Sequence, residues 1–168
     1  HNRQRYGLFA CSGILYNHES PLRPPQFVTR KVTLAAASIK LGLRDRLMMG
    51  NLDARRDWGF AGDYVDAMWR MLQADTPEDY VIGTGQLHSV RDLVAAAFAS
   101  VDLDWQAYVD LDPGLLRSDD HFQLVADPTR ANRNLSWIPQ VSFEELNEKM
   151  VRADLEQLQA GTVQPSSV

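Results

Sequence analysis

Short apolar runs alternate with longer segments of helical periodicity along this chain, and that alternation predicts an α/β fold. The runs that favour strands are residues 6–16, 46–49 and 79–83. The segments with apolar residues at steps of three and four are residues 27–43, 62–74, 89–97 and 142–158. Only three or four strands are visible. A doubly wound sheet usually has more strands, so we expect part of the architecture to be missing.

Capping patterns mark where several of these helices begin. Ser-x-x-Asp at residues 89–92 and Ser-x-x-Glu at residues 142–145 are capping boxes. Asp127 followed by Pro128 predicts another start, with aspartate as the N-cap and proline at the first helical position. The apolar side chains of the 62–74 helix share one face, and they are Val65, Met68, Trp69 and Leu72.

Three segments lack a regular period and are predicted to be loops or tail. Residues 50–59 are charged and bounded by glycine, and residues 101–123 are acidic and irregular, with a turn at 112–114. The polar residues 161–168 are predicted to form a flexible tail. Residues 1–160 then form a single domain, which the length of 168 residues permits.

Composition narrows the classes of partner. The net charge is -5, and the cations are scattered rather than arranged in a basic stripe, which argues against nucleic acid. A small anionic ligand remains possible, because it needs only two or three well-placed cations. The single cysteine, Cys11, cannot form an internal disulfide, which suits a reducing cytoplasm. No apolar run approaches the ~20 residues that cross a bilayer, so we expect a cytoplasmic protein without a membrane partner.

Familiar catalytic and cofactor motifs are missing from the sequence. It contains no Gly-x-Gly-x-x-Gly, no phosphate-binding Gly-rich loop ending in Lys-Ser/Thr, no zinc spacing and no Gly-x-Ser-x-Gly elbow. What remains is a set of loop and helix-start cations: Arg23, Lys31, Arg56 and Arg117. Two converging arginines can hold a diphosphate, since the guanidinium fork pairs with phosphate oxygens. From spacing alone the signal is weak, because an isolated loop arginine is more often a solvated surface residue.

Six strings, in order, resemble the GDP-mannose 4,6-dehydratase family. They are Gly-Ile-Leu-Tyr-Asn-His-Glu-Ser-Pro at 13–21, Phe-Val-Thr-Arg-Lys at 27–31, Gly-Asn-Leu-Asp-Ala-Arg-Arg-Asp-Trp-Gly at 50–59, Asp-Tyr-Val-Asp-Ala-Met-Trp at 63–69, Pro-Glu-Asp-Tyr-Val-Ile-Gly-Thr-Gly at 77–85 and Asp-Pro-Thr-Arg-Ala at 127–131. The resemblance extends from Arg3 to about Leu158. It implies the C-terminal, substrate-binding part of an extended short-chain dehydrogenase/reductase, with remnants of the Rossmann sheet.

The resemblance also implies an activity. Members of the family convert GDP-mannose to GDP-4-dehydro-6-deoxy-D-mannose, a step toward GDP-fucose and other deoxysugars, with internally recycled NADP. Their catalytic Ser/Thr, Glu, Tyr and Lys lie upstream of the position that matches His1. We therefore expect no catalytic residue in this chain, and no turnover by the 168 residues alone. The expected partners are GDP-mannose, the missing N-terminal half, and further copies in a homodimer or homotetramer.

Individual site residues follow from the same resemblance. His18 and Arg23 match positions that contact NADP. The positions that match substrate contacts are Asn17, Val28, Lys31, Arg56, Arg117 and Asp120. No metal ligand is implied. The sequence departs from the family where Leu22 replaces an arginine, Phe60 replaces a histidine, and Asp120 replaces a glutamate.

Two other interpretations remain open. A related GDP-sugar reductase or epimerase would share the arginines that bind the diphosphate, but would lack the Asn-His-Glu-Ser-Pro run. Alternatively, the chain is a non-catalytic fragment that binds a GDP-sugar without converting it.

Overall fold

The computed structural model describes residues 1–115 and 123–165. Its helices are α1 Asn2–Tyr6, α2 Val28–Lys40, α3 Ala61–Gln73, α4 Val90–Ala99, α5 Thr129–Leu135 and α6 Phe143–Gln159. Its strands are β1 Gly13–Leu15, β2 Asn17–Glu19, β3 Leu47–Met49, β4 Arg55–Arg56, β5 Trp58–Phe60, β6 Tyr80–Ile82, β7 His88–Ser89 and β8 Val109–Leu111. Two 3₁₀ turns lie at Trp105–Ala107 and Pro113–Leu115.

The strands pair two by two. β1–β6, β2–β5 and β3–β8 are parallel pairs, and β4–β7 is antiparallel. β1 and β2 follow each other almost without a break, because the Tyr16 N–H donates to the Ile82 carbonyl at 2.9 Å. This segment therefore pairs first with β6, through β1, and then with β5, through β2. The polar residues of β2 lie just after the change of partner. The combination of helices with mainly parallel strand pairs confirms the predicted α/β class.

Three helices enclose the first core. α2, α4 and α6 pack around β3 and β5. The buried side chains include Val32, Ala36, Leu47, Val94, Phe98 and Val151. α2 is buried over most of its length, and its alanines allow α4 and α6 to approach closely.

A smaller second core lies between the β1–β6 pair and the helices α3 and α5. Its buried members include Tyr64, Ala67, Met71, Ile82 and Trp137. The indole N–H of Trp137 donates to the Asp63 carbonyl at 2.9 Å, so this large side chain is satisfied as well as buried. The apolar face predicted for α3 points away from this core: Val65, Met68, Trp69 and Leu72 are 40–61% exposed.

Helix boundaries largely follow their capping signals. Both predicted capping boxes are confirmed, at the starts of α4 and α6. Gly42 follows α2 with a φ of 68°, a left-handed conformation that ends the helix at low cost for glycine. α5 begins at Thr129, one residue later than predicted, although Asp127 Oδ1 still accepts from the Thr129 N–H at 3.0 Å.

Three predictions about strands are wrong. Residues 6–16 do not form one buried strand, because α1 extends to Tyr6 and only residues 13–15 find a partner in β6. Residues 50–59 contain β4 and β5 rather than only loop. Residues 101–123 contain β8, which pairs with β3. In each case a partner distant in sequence decides whether the backbone hydrogen bonds of a strand can form. Within the described ranges, no helix has the length and apolar content to cross a bilayer.

Candidate functional site

A cavity of about 580 Å³ opens where β1 ends and β2 begins. It is lined by Ile14, Leu15, Tyr16, Asn17, His18, Arg23, Arg56 and Leu124. Crevices at the carboxyl ends of parallel strands are the usual ligand sites of open α/β sheets. Four residues predicted from the sequence meet here: Asn17, His18, Arg23 and Arg56.

Two adjacent β2 side chains are fixed by hydrogen bonds to the backbone. The Asn17 side-chain amide donates to the Asp57 carbonyl at 3.2 Å, which anchors it at the cavity wall. His18 Nδ1 lies 2.9 Å from the Tyr16 carbonyl. Because a carbonyl only accepts, Nδ1 carries the proton, and Nε2 is the ring nitrogen through which His18 can act on a ligand. The imidazole also packs 5.5 Å from the Tyr64 ring.

Arg23 is held on two sides. Its guanidinium lies over the Phe27 ring, 3.7 Å from the centroid, in a cation–π contact. Its Nε is 3.2 Å from Glu19 Oε2. Within the described ranges, no acceptor is bonded to the two terminal nitrogens of Arg23, which therefore remain available to an anion. The arginine is thus oriented before any ligand arrives.

The carboxylate that orients Arg23 is itself buried. Glu19 is almost completely inaccessible and accepts a hydrogen bond from the Thr29 hydroxyl at 2.5 Å. Burial raises the pKa of Glu19, while the Thr29 hydrogen bond and the charges of Arg23 and His18 oppose that rise. Glu19 was missed in the sequence, since nothing in its spacing distinguishes a buried carboxylate from a solvated one.

The loop that carries Arg23 is anchored to the first core. Arg30, buried in α2, donates to the carbonyls of Pro21 and Arg23, the latter at 3.2 Å. The same guanidinium forms an ion pair with buried Asp154 of α6 at 2.6 Å. The proline-rich loop therefore has a fixed position relative to two packed helices.

Arg56 enters the cavity from a different direction. It lies in β4, opposite His88 of β7, and its Nη1 donates to the Arg55 carbonyl at 2.7 Å. The next residue, Asp57, is completely buried and is a second carboxylate that the sequence did not identify. Arg23 of the proline-rich loop and Arg56 of β4 thus line one cavity, an arrangement that can hold phosphate oxygens.

The remaining predicted residues lie elsewhere. Val28 is half-buried against the first core, and Lys31, one turn later, is also half-buried. Burial lowers the pKa of Lys31, and the nearby charge of Arg44 adds to that effect. Neither residue lines the 580 Å³ cavity. Arg117 and Asp120 lie outside the described residues.

A larger cavity of about 730 Å³ lies beside the β1–β6 pair, but its charges largely neutralise one another. Its acidic and basic lining residues are Glu78, Asp79, Asp127, Arg130 and Arg133. Arg3 pairs with Asp79 at 2.5 Å, and Arg130 lies 3.9 Å from Glu78. The smaller cavity has basic side chains and no acidic lining residue among those described, so it is the better anion site.

Comparison with known sequences identifies the family. The family model described as GDP-mannose 4,6 dehydratase matches residues 1–150. The chain is 51% identical over 154 residues to GDP-mannose 4,6 dehydratase 2 of Arabidopsis thaliana, covering 92% of this chain and 41% of that protein. It is 44% identical over 171 residues to the Homo sapiens GDP-mannose 4,6 dehydratase, covering 92% and 46%. The chain thus spans about half the length of these relatives.

Solved structures confirm the fold. RMD from Pseudomonas aeruginosa, complexed with NADPH, superposes with a TM-score of 0.85 at 19% identity, covering 93% of this chain and 52% of that chain. The dTDP-glucose 4,6-dehydratase of Bacillus anthracis, in complex with NAD, gives 0.76 at 16% identity, covering 94% and 48%. Both are extended short-chain dehydrogenase/reductase folds, as the sequence predicted. By its sequence, this chain belongs to the GDP-mannose 4,6-dehydratase family.

Proposed function

We propose that this chain is the sugar-nucleotide-binding part of a GDP-mannose 4,6-dehydratase. The whole enzyme converts GDP-mannose to GDP-4-dehydro-6-deoxy-D-mannose. The observation that carries the proposal is the convergence of Asn17, His18, Arg23 and Arg56 on one cavity. Two arginines with a fixed amide and an imidazole suit phosphate-containing ligands, because each guanidinium can pair with phosphate oxygens.

Within this cavity, Asn17 and Arg56 are assigned to the substrate. Arg56 supplies charge to the diphosphate, and the anchored Asn17 amide orients the sugar end. Val28 and Lys31 are assigned to the guanine end of GDP-mannose, with Arg117 and Asp120 from the segment outside the described residues. Charge-assisted bonds of this kind contribute about 1.5–3 kcal/mol each.

His18 and Arg23 are assigned to NADP. The terminal nitrogens of Arg23 suit a phosphate, and Nε2 of His18 suits a hydroxyl or phosphate oxygen, so the residues present fit this cofactor. NADP, when bound, takes up the hydride from the sugar and returns it. The residues of this chain bind and orient, and we expect them to produce no turnover alone.

A further part of the proposal is that a polypeptide resembling the preceding half of the relatives completes the structure. α5 packs on the flank of α3 that carries Asp63 and Arg70. Arg70 donates to the carbonyl of Leu135, the last residue of α5, and the Asp63 carbonyl accepts from the Trp137 indole just beyond it. At about 100° per residue, Val65, Met68 and Leu72 lie on the opposite flank. α5 itself packs against β6, so the exposed apolar flank faces away from the contact between α5 and β6.

β1 also has no second partner strand in the part of the chain that the structure describes. Among the described residues it pairs only with β6. Parallel sheets are normally buried on both faces, and two strands alone are marginal in water. The β1 edge, which has no partner among the described residues, and the exposed apolar flank of α3 therefore both support docking of additional strands and helices. We also propose a cytoplasmic location and assembly into a homodimer or homotetramer.

Calorimetric titration with GDP-mannose tests the binding role. Arg56→Ala should weaken binding by about tenfold or more, the loss expected for one charge-assisted contact. Arg152→Ala is the matched control, because Arg152 is an exposed α6 arginine that pairs with Glu148. Equal affinities of the Arg56→Ala variant and the original chain would refute the assignment of the cavity.

A further inference from the structure

Asp57 is a buried carboxylate with an unusually complete set of donors. It lies between β4 and β5, directly after Arg56, and has no accessible surface. Its Oδ1 accepts from the Thr84 N–H at 2.9 Å and from the Thr84 hydroxyl at 2.6 Å. Its Oδ2 accepts from the Gly85 N–H at 2.9 Å and the Ala126 N–H at 3.1 Å. One side chain therefore joins three separate segments of the chain.

The three segments also approach as closely as their backbones allow. A Cβ placed on Gly83 would lie 2.3 Å from Ala126 Cβ and 3.2 Å from Asp57 Oδ2. A side chain at residue 83 would push the segment with Ala126 away from Asp57. The close approach and the four hydrogen bonds thus hold the same junction.

Each wall of the candidate cavity connects to this junction. The Asn17 amide donates to the Asp57 carbonyl at 3.2 Å. Arg56 is bonded covalently to Asp57. Leu124, which also lines the cavity, lies two residues before Ala126, and the Tyr16 hydroxyl donates to the Val125 carbonyl at 3.2 Å.

We infer that Asp57 is a positioning residue, which sets the relative placement of Arg56, Asn17 and the wall that contains Leu124. This inference rests on the proposed function of the cavity. Asp57 is inaccessible, so it acts on a ligand only through these neighbours. Without its carboxylate, the segment with Ala126 loses its direct hydrogen bond to the residue that follows Arg56, and the Tyr16–Val125 hydrogen bond remains as its link to the strand of Asn17.

The test compares Asp57→Asn with Asp63→Asn. Whichever way the introduced amide turns at position 57, its NH₂ group faces N–H donors and breaks part of the junction. Asp63 is a matched control, because it is also buried and accepts backbone N–H bonds, from Gln140 at 2.8 Å and Val141 at 3.0 Å. Those bonds join α3 to a segment that does not line the cavity.

Amide hydrogen exchange without ligand measures how well the hydrogen bonds to Asp57 protect these amides. Asp57→Asn should speed exchange at Thr84, Gly85 and Ala126 by about tenfold or more, whereas Asp63→Asn should do so only at Gln140 and Val141. In calorimetric titration, Asp57→Asn should raise the Kd for GDP-mannose about tenfold above that of Asp63→Asn. Unchanged exchange at Ala126, or equal Kd values for the two variants, would overturn the inference.

A milder variant keeps the test decisive if Asp57→Asn does not fold. Thr84→Val removes one donor and preserves the branched shape, so a roughly threefold faster exchange at Gly85 and Ala126 is expected. No change at either amide would again contradict the inference. The exchange measurements need no ligand, so failure of the original chain to bind GDP-mannose would refute the proposed function while Asp57 is still tested.

Discussion

The two cores of this chain differ in how completely they are enclosed. The first is surrounded by α2, α4 and α6, and the latter two begin with capping boxes. The second consists of one strand pair and two helices, and it leaves an apolar flank of α3 exposed. The candidate cavity lies where these regions meet, with β2 and its neighbours placing Asn17 and His18 there. An enclosed region thus fixes the site, and an incompletely covered region adjoins it.

Truncation of a buried aromatic residue in the first core should have the largest effect. Phe98→Ala removes a completely buried ring and should lower the free energy of unfolding by about 3–5 kcal/mol. The contrasting variant is Trp69→Ala, which truncates a ring of the exposed α3 flank and should change stability by less than about 0.5 kcal/mol. Urea denaturation of both variants measures the difference, and similar losses would contradict the distinction between the two regions.

The pH dependence of stability tests the ion pair that joins α2 to α6. Burial raises the pKa of Asp154 to about 6, although the Thr33 hydrogen bond and the charge of Arg30 oppose the rise. The folded chain therefore binds more protons than the unfolded chain between pH 4 and pH 6. As pH rises through this window, the free energy of unfolding should fall, by about 1–3 kcal/mol for this group.

Asp154→Asn isolates that contribution. The stability of this variant should lack the contribution from Asp154 protonation. The free energy of unfolding of the original chain minus that of the variant should therefore decrease from pH 4 to pH 6. Denaturation curves at half-unit pH intervals provide the measurement. A difference that stays constant or increases with pH would mean that the Arg30 ion pair, rather than burial, determines the ionisation of Asp154.

A smaller effect is expected at the start of α6. Ser142→Ala removes the hydroxyl that accepts from the Glu145 N–H at 3.2 Å and should cost about 1 kcal/mol. Ser136→Ala serves as the control, because Ser136 is exposed, follows α5 and caps no helix N-terminus. Thermal unfolding of the two alanine variants distinguishes them, and equal midpoints would show that the capping box contributes little to the first core.

The sequence predicted the elements of the first core better than those of the second core. Local signals sufficed for α2, α4 and α6, because glycine and the capping boxes determine their ends. The sequence missed β2, β4, β5, β7 and β8, since each is only two or three residues long and depends on a distant partner. Periodicity showed that α3 has an apolar face, but could not show that Tyr64, Ala67 and Met71 are its buried residues instead.

The candidate site shows the same limit. Family resemblance named Asn17, His18, Arg23 and Arg56, which line the cavity. It did not name Glu19 or Asp57. Both carboxylates are buried and hydrogen-bonded to other parts of the chain, so neither would contact a ligand directly. Residues that touch a ligand can be carried over from a motif, whereas those that orient them become visible only when the packed neighbours are known.

Reconstitution of turnover tests the central claim most directly. The chain would be combined with the preceding half of the Arabidopsis thaliana relative and incubated with GDP-mannose and NADP, without added reductant. We predict that the two polypeptides associate and form the 4-dehydro-6-deoxy product, that Arg56→Ala reduces product formation, and that this chain alone forms none. Product from this chain alone, or an associated pair that binds GDP-mannose but forms no product, would contradict the account.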